Sequence, residues 1–237
     1  MKVMKAVLLF AVVLGVIAAG AASLWLGRGV KLAVEAYGPG IVGAPVTVGT
    51  VTLAPWSGRG AIRDLVVGNP PGFKGAHALK AGSVDVRIKL SSLAADTIVV
   101  ESVEVREPEI LYELGSGGSN LSRLQKNAES AVGKPAPAAA KSGPAKSLLI
   151  KDLRVSGGQI SVAATALGTK AVTIPLPGVR LSNLGGKGRT PAQAVSEVLS
   201  AIAGTAGKAV SGLGAKALSD AASSALGALG GLLKGKK

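Results

Sequence analysis

Cysteine is absent from the 237 residues, which excludes a disulfide framework and a thiolate metal site. Histidine occurs once, as His77 between two alanines, and a lone imidazole has no partner with which to hold a metal or act as a base. No metal and no cofactor are therefore expected. Aromatic residues make up only 3% of the chain, so a core must be packed from aliphatic side chains. Acidic residues are few: 13 Asp and Glu stand against 27 Lys and Arg, for a formal net charge of +14. The imbalance is uneven, with +4 on residues 1–31, −1 on 32–132 and +11 on 133–237. The most basic part carries no Phe, Tyr or Trp to stack on bases, and we expect no nucleic-acid partner. Anionic lipid head groups or acidic polysaccharide are the expected counter-charges.

No catalytic constellation is present either. Acidic pairs such as Glu101 and Glu104 fall on the polar side of an alternating segment, where a carboxylate is solvated. Gly115-Ser-Gly-Gly-Ser119 and Gly185-Gly-Lys-Gly188 lack the Lys-Ser/Thr spacing of a phosphate loop. We expect no enzyme.

What the chain does have is a long apolar start. Ala6 to Gly27 contains no charge, and as a helix those 22 residues would span roughly 33 Å, enough for a bilayer core of about 30 Å. Val7, Leu8, Leu9, Phe10, Val12, Val13, Leu14, Val16, Ile17, Leu24 and Trp25 form the expected membrane anchor. Lys2 and Lys5 before it favour a cytoplasmic N-terminus, with the body on the far side. A cleaved signal peptide is the competing reading, because Ala19-Gly20-Ala21 offers small residues for cleavage.

One phrase returns. Ile98-Val-Val-Glu-Ser-Val-Glu-Val-Arg-Glu-Pro-Glu-Ile110 lies over Leu148-Leu-Ile-Lys-Asp-Leu-Arg-Val-Ser-Gly-Gly-Gln-Ile160, 50 positions later, with the apolar and polar positions in step. Each copy alternates like a half-buried strand, breaks step at two polar residues, and resumes. The step occurs in Val100-Glu-Ser-Val103 and Ile150-Lys-Asp-Leu153, and again in Ile62-Arg-Asp-Leu65 and Leu181-Ser-Asn-Leu184. Two polar residues in succession would turn a flat strand over, so a bulge or bend is expected at each step. A repetitive antiparallel sheet with one apolar face follows.

Other segments fill in the outline. Pro45–Leu53 reads as a first strand, and Val84-Asp-Val-Arg-Ile-Lys-Leu90 as the cleanest one. Asn120–Val132 is helical in pattern, with Leu121, Leu124 and Ala128 on one face and Asn120 as a cap. Residues 133–146 form a Pro/Ala-rich flexible linker, and Ala171–Pro177 an edge strand whose prolines cannot donate. Thr190-Pro-Ala-Gln193 starts a helix with a capping box. From there apolar residues recur every three or four positions from Val198 to Leu232, though Gly204, Gly207, Gly212 and Gly214 predict breaks. This helix suits either a lid over an apolar groove or an interfacial membrane helix.

The stretch Ile62-Arg-Asp-Leu-Val-Val-Gly-Asn-Pro-Pro-Gly-Phe73, then Ala78-Leu-Lys-Ala-Gly-Ser-Val-Asp-Val-Arg-Ile88, resembles the AsmA-like proteins of Gram-negative envelopes. Pro108-Glu-Ile-Leu-Tyr-Glu113 and Asn120-Leu121 are similar to that family's next strand and helix start. The resemblance covers residues 1 to about 185, most specifically 62–113. It implies an inner-membrane anchor, a periplasmic body and a repeating β-groove related to bridge-like lipid-transfer proteins. A role in phospholipid movement or outer-membrane biogenesis would follow. The chain is far shorter than members thought to span the periplasm, which leaves a shuttle, adaptor or regulator.

The expected architecture is mainly β with appended helices: an anchor over 1–31, a first β-groove part with a short helix over 32–132, the linker, a second β-groove part over 147–189, and the amphipathic helix with a basic tail over 190–237. Val84, Val86, Ile88, Leu90, Ile98, Val100, Val103, Val105, Ile110, Ile150, Leu153, Val155 and Ile160 would line a concave face for lipid tails. The expected partners are a phospholipid or other acyl-chain lipid, the membrane and other envelope proteins. The competing reading is that the same residues form a dry core closed by the C-terminal helix.

Overall fold

The structure is a computed structural model that describes residues 25–115, 117–132, 147–163, 172–186 and 189–234, with side chains in the last helix described as far as Leu213. The anchor residues before Trp25, the linker 133–146 and the basic tail lie outside the described residues. Among the described residues no helix is long and apolar enough to cross a membrane.

Among the described residues the chain forms a mixed α/β fold, not a mainly β one: a large, mostly antiparallel sheet of ten strand segments with three α-helices. Helix α1 spans 25–42, ahead of β1 (Val46–Ala54), β2 (Arg59–Val67) and β3 (Leu79–Ile88). After a 3-10 turn at Leu90–Ser92 come β4 (Thr97–Arg106), β5 (Glu109–Gly115), the short β6 (Gly118–Ser119) and α2 (Asn120–Ala131). The remainder is β7 (Ser147–Ser156), β8 (Gln159–Ala163), β9 (Val172–Pro175), β10 (Val179–Gly185) and α3 (Pro191–Lys234).

The 50-residue repeat is a physical stack. Thr97 pairs Ser147 and Arg106 pairs Ser156, and the same offset carries through Glu109–Gln159 to Glu113–Ala163. These pairings are parallel, where the sequence suggested antiparallel neighbours throughout. A parallel pair needs a crossover between its strands, and α2 lies in that connection. On the other side β3 pairs antiparallel with both β4 and β5, while β9 and β10 continue one another against β8 and β7.

The steps in the alternation are real irregularities. Asp64 in Ile62-Arg-Asp-Leu65 and Asn183 in Leu181-Ser-Asn-Leu184 adopt left-handed backbone, at φ 52° and 55°. In Val100-Glu-Ser-Val103 the register of β4 on β3 slips between Arg87 and Ile88, leaving Glu101 as an extra residue. A further crease crosses the middle of the sheet. Asp64 sits opposite Gly49 on β1 and Gly82 on β3, and Glu107 (φ 50°) abuts Gly157 (φ 67°) in the stacked repeat. Each left-handed residue turns the strand over once, so the side that was apolar before the crease is apolar again after it.

The helices close parts of this sheet. α1 runs antiparallel along the free edge of β1, where Glu35 accepts from the Val48 N–H at 2.9 Å and Lys31 donates to the Val48 and Gly49 carbonyls. That covers edge groups which would otherwise invite another chain. Gly27 lies so close to the Val51 carbonyl that any side chain there would collide with it. α2 starts at a Ser119 cap, not at Asn120, with the Ser122 N–H donating to Ser119 Oγ. Leu121, Leu124 and Ala128 are fully buried, as their spacing predicts. The capping box of α3 forms as expected: the Thr190 N–H donates to Gln193 Oε1 at 2.8 Å, and the Gln193 N–H to Thr190 Oγ1 at 3.4 Å. The helix then continues without a break for 44 residues, so its glycines weaken it without interrupting it.

The crease yields a paired test by urea unfolding. Gly157→Val should destabilise the protein by about 1–2 kcal/mol, because a β-branched residue is forced into left-handed backbone. Glu107→Gly should stay within about 1 kcal/mol of the parent, since relief of the same strain offsets the freer unfolded chain.

Candidate functional site: one apolar sheet face and a buried polar hub

Register places the apolar residues in rows. Val51, Ile62, Val84, Val105, Val155 and Val179 are successive cross-strand neighbours from β1 to β10. Beyond the central crease, Val46, Val67, Leu79, Ile110, Ile160 and Ile174 form a second such row. Neighbours in register share a face. The sheet therefore carries apolar bands from one edge to the other.

The opposite face carries charge. Asp85 lies 3.7 Å from Arg63 and 3.9 Å from Arg106, Arg106 lies 2.9 Å from Glu104, and Asp152 bridges Arg154 at 2.8 Å and Arg180 at 3.0 Å. The Arg106 hydrogen bond and charge hold the Glu104 carboxyl below its ordinary range and raise Arg106 in turn. The Arg180 hydrogen bond, with Arg154 alongside, lowers Asp152. These pairs are solvent-exposed, so each adds little stability. Their role is to mark which side faces water.

The helices cover one end of the apolar side. Ile110, Leu153, Val155 and Ile160 are buried in a cluster with Leu121, Leu124, Leu199, Ile202 and Ala206 from α2 and α3. Val103, Val105 and Ile150 are half-buried at its margin. Thus part of the expected lipid lining is closed protein core. Val84, Val86, Ile88, Leu90, Ile98 and Val100 belong to no described part of that cluster. Val84 and Val100 are buried, Val86, Ile88 and Ile98 half-buried, and Leu90 exposed. Of the anchor residues, only Trp25 lies within the described chain, exposed on α1.

A polar cluster that the residue patterns did not single out lies at the α2 end. Glu113, 3% exposed, accepts from the Lys74 and Gly75 N–H groups at 2.8 Å each and from Asn69 Nδ2 at 3.3 Å. Asn120, fully buried, donates to Asn69 Oδ1 and to the Leu111 carbonyl at 2.7 Å each. Its Oδ1 accepts from the Glu113 and Leu121 N–H groups. The loop Asn69–Gly75, strand β5 and the start of α2 are thereby tied together. The signal in the sequence was Glu113 itself, a carboxylate within the apolar phrase Ile110-Leu-Tyr-Glu-Leu114. The hub joins three chain segments, and its carboxylate is engaged as an acceptor.

His77 lines a shallow hollow of about 260 Å³ with Glu109 and Gln159, and no cluster of three or more metal-ligating side chains occurs among the described residues. No family model matches the chain, and no curated protein or solved structure matches it either.

Asn120→Leu should lower unfolding stability by roughly 3 kcal/mol, since it strands buried partners on three segments. Lys126→Ala, on the exposed side of α2, should change it by less than about 0.5 kcal/mol. Chemical denaturation measures both. The charged face gives a pH test. Glu104 and Asp152 titrate lower in the folded state than in the unfolded chain, so their contribution is complete above the ordinary carboxylate range. It disappears only as pH falls through the depressed folded values, and Glu104→Gln should flatten that acid limb of a stability–pH curve.

Proposed function

We propose that the chain is an AsmA-like protein, held in the inner membrane by its N-terminal segment, whose periplasmic sheet carries lipid acyl chains on a concave apolar face. It would serve phospholipid transport or outer-membrane biogenesis. The observation that carries this reading is the continuation of the apolar rows beyond the helix-packed cluster, over Val84, Val86, Ile88, Ile98 and Val100. Repeated creases are the kind of irregularity that curls a sheet around a ligand. An acyl chain on such a surface needs no polar contacts, because each methylene removed from water contributes about 0.8 kcal/mol. The meeting of the family-like segments at Asn69, Glu113 and Asn120 also supports the AsmA-like assignment.

A second reading is a structural or adaptor protein of the envelope that binds no lipid. The packing of α2 and α3 over Ile110, Leu153, Val155 and Ile160 favours it, since that part of the face is already filled.

A photo-crosslinking amino acid placed in the full chain separates the two. Probes at Ile88 and Val100 should capture phospholipid in intact cells, whereas one at Thr173, on the exposed edge strand β9, should capture none. Absence of lipid adducts at both 88 and 100, with the protein folded, would favour the adaptor. Val100→Asp should abolish lipid capture at 88, whereas Ile160→Asp should unfold the protein, at a cost above about 3 kcal/mol.

A further inference from the structure

The sheet has two unlike ends. The hub closes the far end. At the other lie the β1–β2 turn, the β3–β4 connection and the first described residues of α1, and several large apolar side chains there face solvent. Trp56 is 65% exposed in the first turn, while Leu90 and Leu93 are 40% and 47% exposed in the second. Trp25 and Leu26 on α1 are exposed as well. Contacts place these elements side by side. Gly27 abuts the Val51 carbonyl just before the first turn, and Gly58 in that turn lies against Leu90 and accepts from the Ile88 N–H at 2.7 Å.

These residues sit on well-tied backbone. The Ser57 and Gly58 N–H groups both donate to the Ala54 carbonyl at 3.0 Å. Buried Ser92 donates to the Lys89 carbonyl and accepts from the Val99 N–H, pinning the second connection. The apolar groups are therefore held outward by a formed scaffold. Such a cluster on a folded surface marks a binding face. Both tryptophans of the chain are at this end. Trp suits the boundary between head groups and acyl chains, where its ring is buried and its N–H stays wet. Arg28, Arg59 and Lys89 flank the cluster, against Asp96 on the second connection.

We propose that this rim rests in the bilayer surface, with Trp56, Leu90 and Leu93 at head-group depth and the basic residues against anionic lipid. The occupant follows from the chain itself: the uncharged run Ala6–Gly27 reaches this rim at Trp25–Gly27, the first described residues of α1. A segment that enters a membrane there holds the rim at its surface. The inference rests on the proposed anchor and adds a second, independent contact beside it. It also orients the sheet, with the Ile88–Val100 end of the apolar face opening at the lipid.

The test uses the full chain in vesicles of phosphatidylcholine and phosphatidylglycerol, with one tryptophan at a time. In Trp25→Phe the remaining Trp56 should emit at shorter wavelength than in the unfolded chain. Its emission should be quenched by lipids brominated near the head group and shielded from aqueous acrylamide. Leu90→Ser with Leu93→Ser should reduce that quenching while circular dichroism stays unchanged. In Trp56→Phe, Trp25 reports the anchor alone. Quenching of Trp25 without quenching of Trp56 overturns the rim and leaves the anchor standing, while quenching of neither overturns both. Trp56 shielded from acrylamide yet untouched by brominated lipid assigns the rim to a protein partner and overturns the membrane proposal.

Discussion

The constraint on which the rest depends is that the strands keep one register while the side-chain alternation is reset along their length. A strand has a period of two, so a single extra or left-handed residue exchanges its faces. In this chain the left-handed resets at Asp64, Glu107 and Gly157 are aligned across the strands, with Gly49 and Gly82 opposite Asp64. Any one reset alone would expose half a strand of valines and bury its charges. Aligned, they keep one face apolar and leave the Arg–Asp–Glu ladder on the other. The helices and the apolar band outside the helix-packed cluster both presuppose this agreement.

The hub and the edge cover serve a related purpose at the boundaries. A sheet built largely of Val, Ile and Leu has few side-chain hydrogen bonds with which to fix its ends. Glu113 and Asn120 supply them at one end by binding three chain segments through main-chain groups. Along β1, Lys31 and Glu35 of α1 do the same for an exposed edge. Glu113 and Asn120 are almost wholly enclosed by partners, in keeping with the high cost of an unsatisfied buried carboxylate or amide.

Much of the sheet was legible because its signal is local. The step-breaking phrases and the Thr190–Gln193 box are short-range patterns, the recurrence at offset 50 is a repetition of such a pattern, and each has a counterpart in the fold. The direction of the stacked strands was not legible, because parallel and antiparallel neighbours share the same alternation and differ only in the path of the connection. The cap of α2 was misassigned by one residue since Ser119 and Asn120 are both good capping types, and only the burial of Asn120 separates them. The helix over 25–42 was hidden by its continuity with the apolar run, and the glycines of α3 were given more weight than its packing on α2 and β10 allows. Of the candidate lining, residues under the helices could not be told from uncovered ones, because burial by a distant helix leaves no mark on a strand's own pattern.

The repeat has a further consequence for how such a molecule is enlarged. Because β7–β8 lie on β4–β5 residue for residue, the newer strand presents to its outer neighbour the same sequence of apolar, polar and left-handed positions that the older one presents to it. Another copy of that segment, inserted between β7–β8 and the strands β9 and β10 that now pair with them, would find its crease already aligned. The sheet is thus extensible by duplication at constant cross-section: lengthening it changes the number of strands and the reach of the apolar surface, and leaves the rules for joining one strand to the next unaltered.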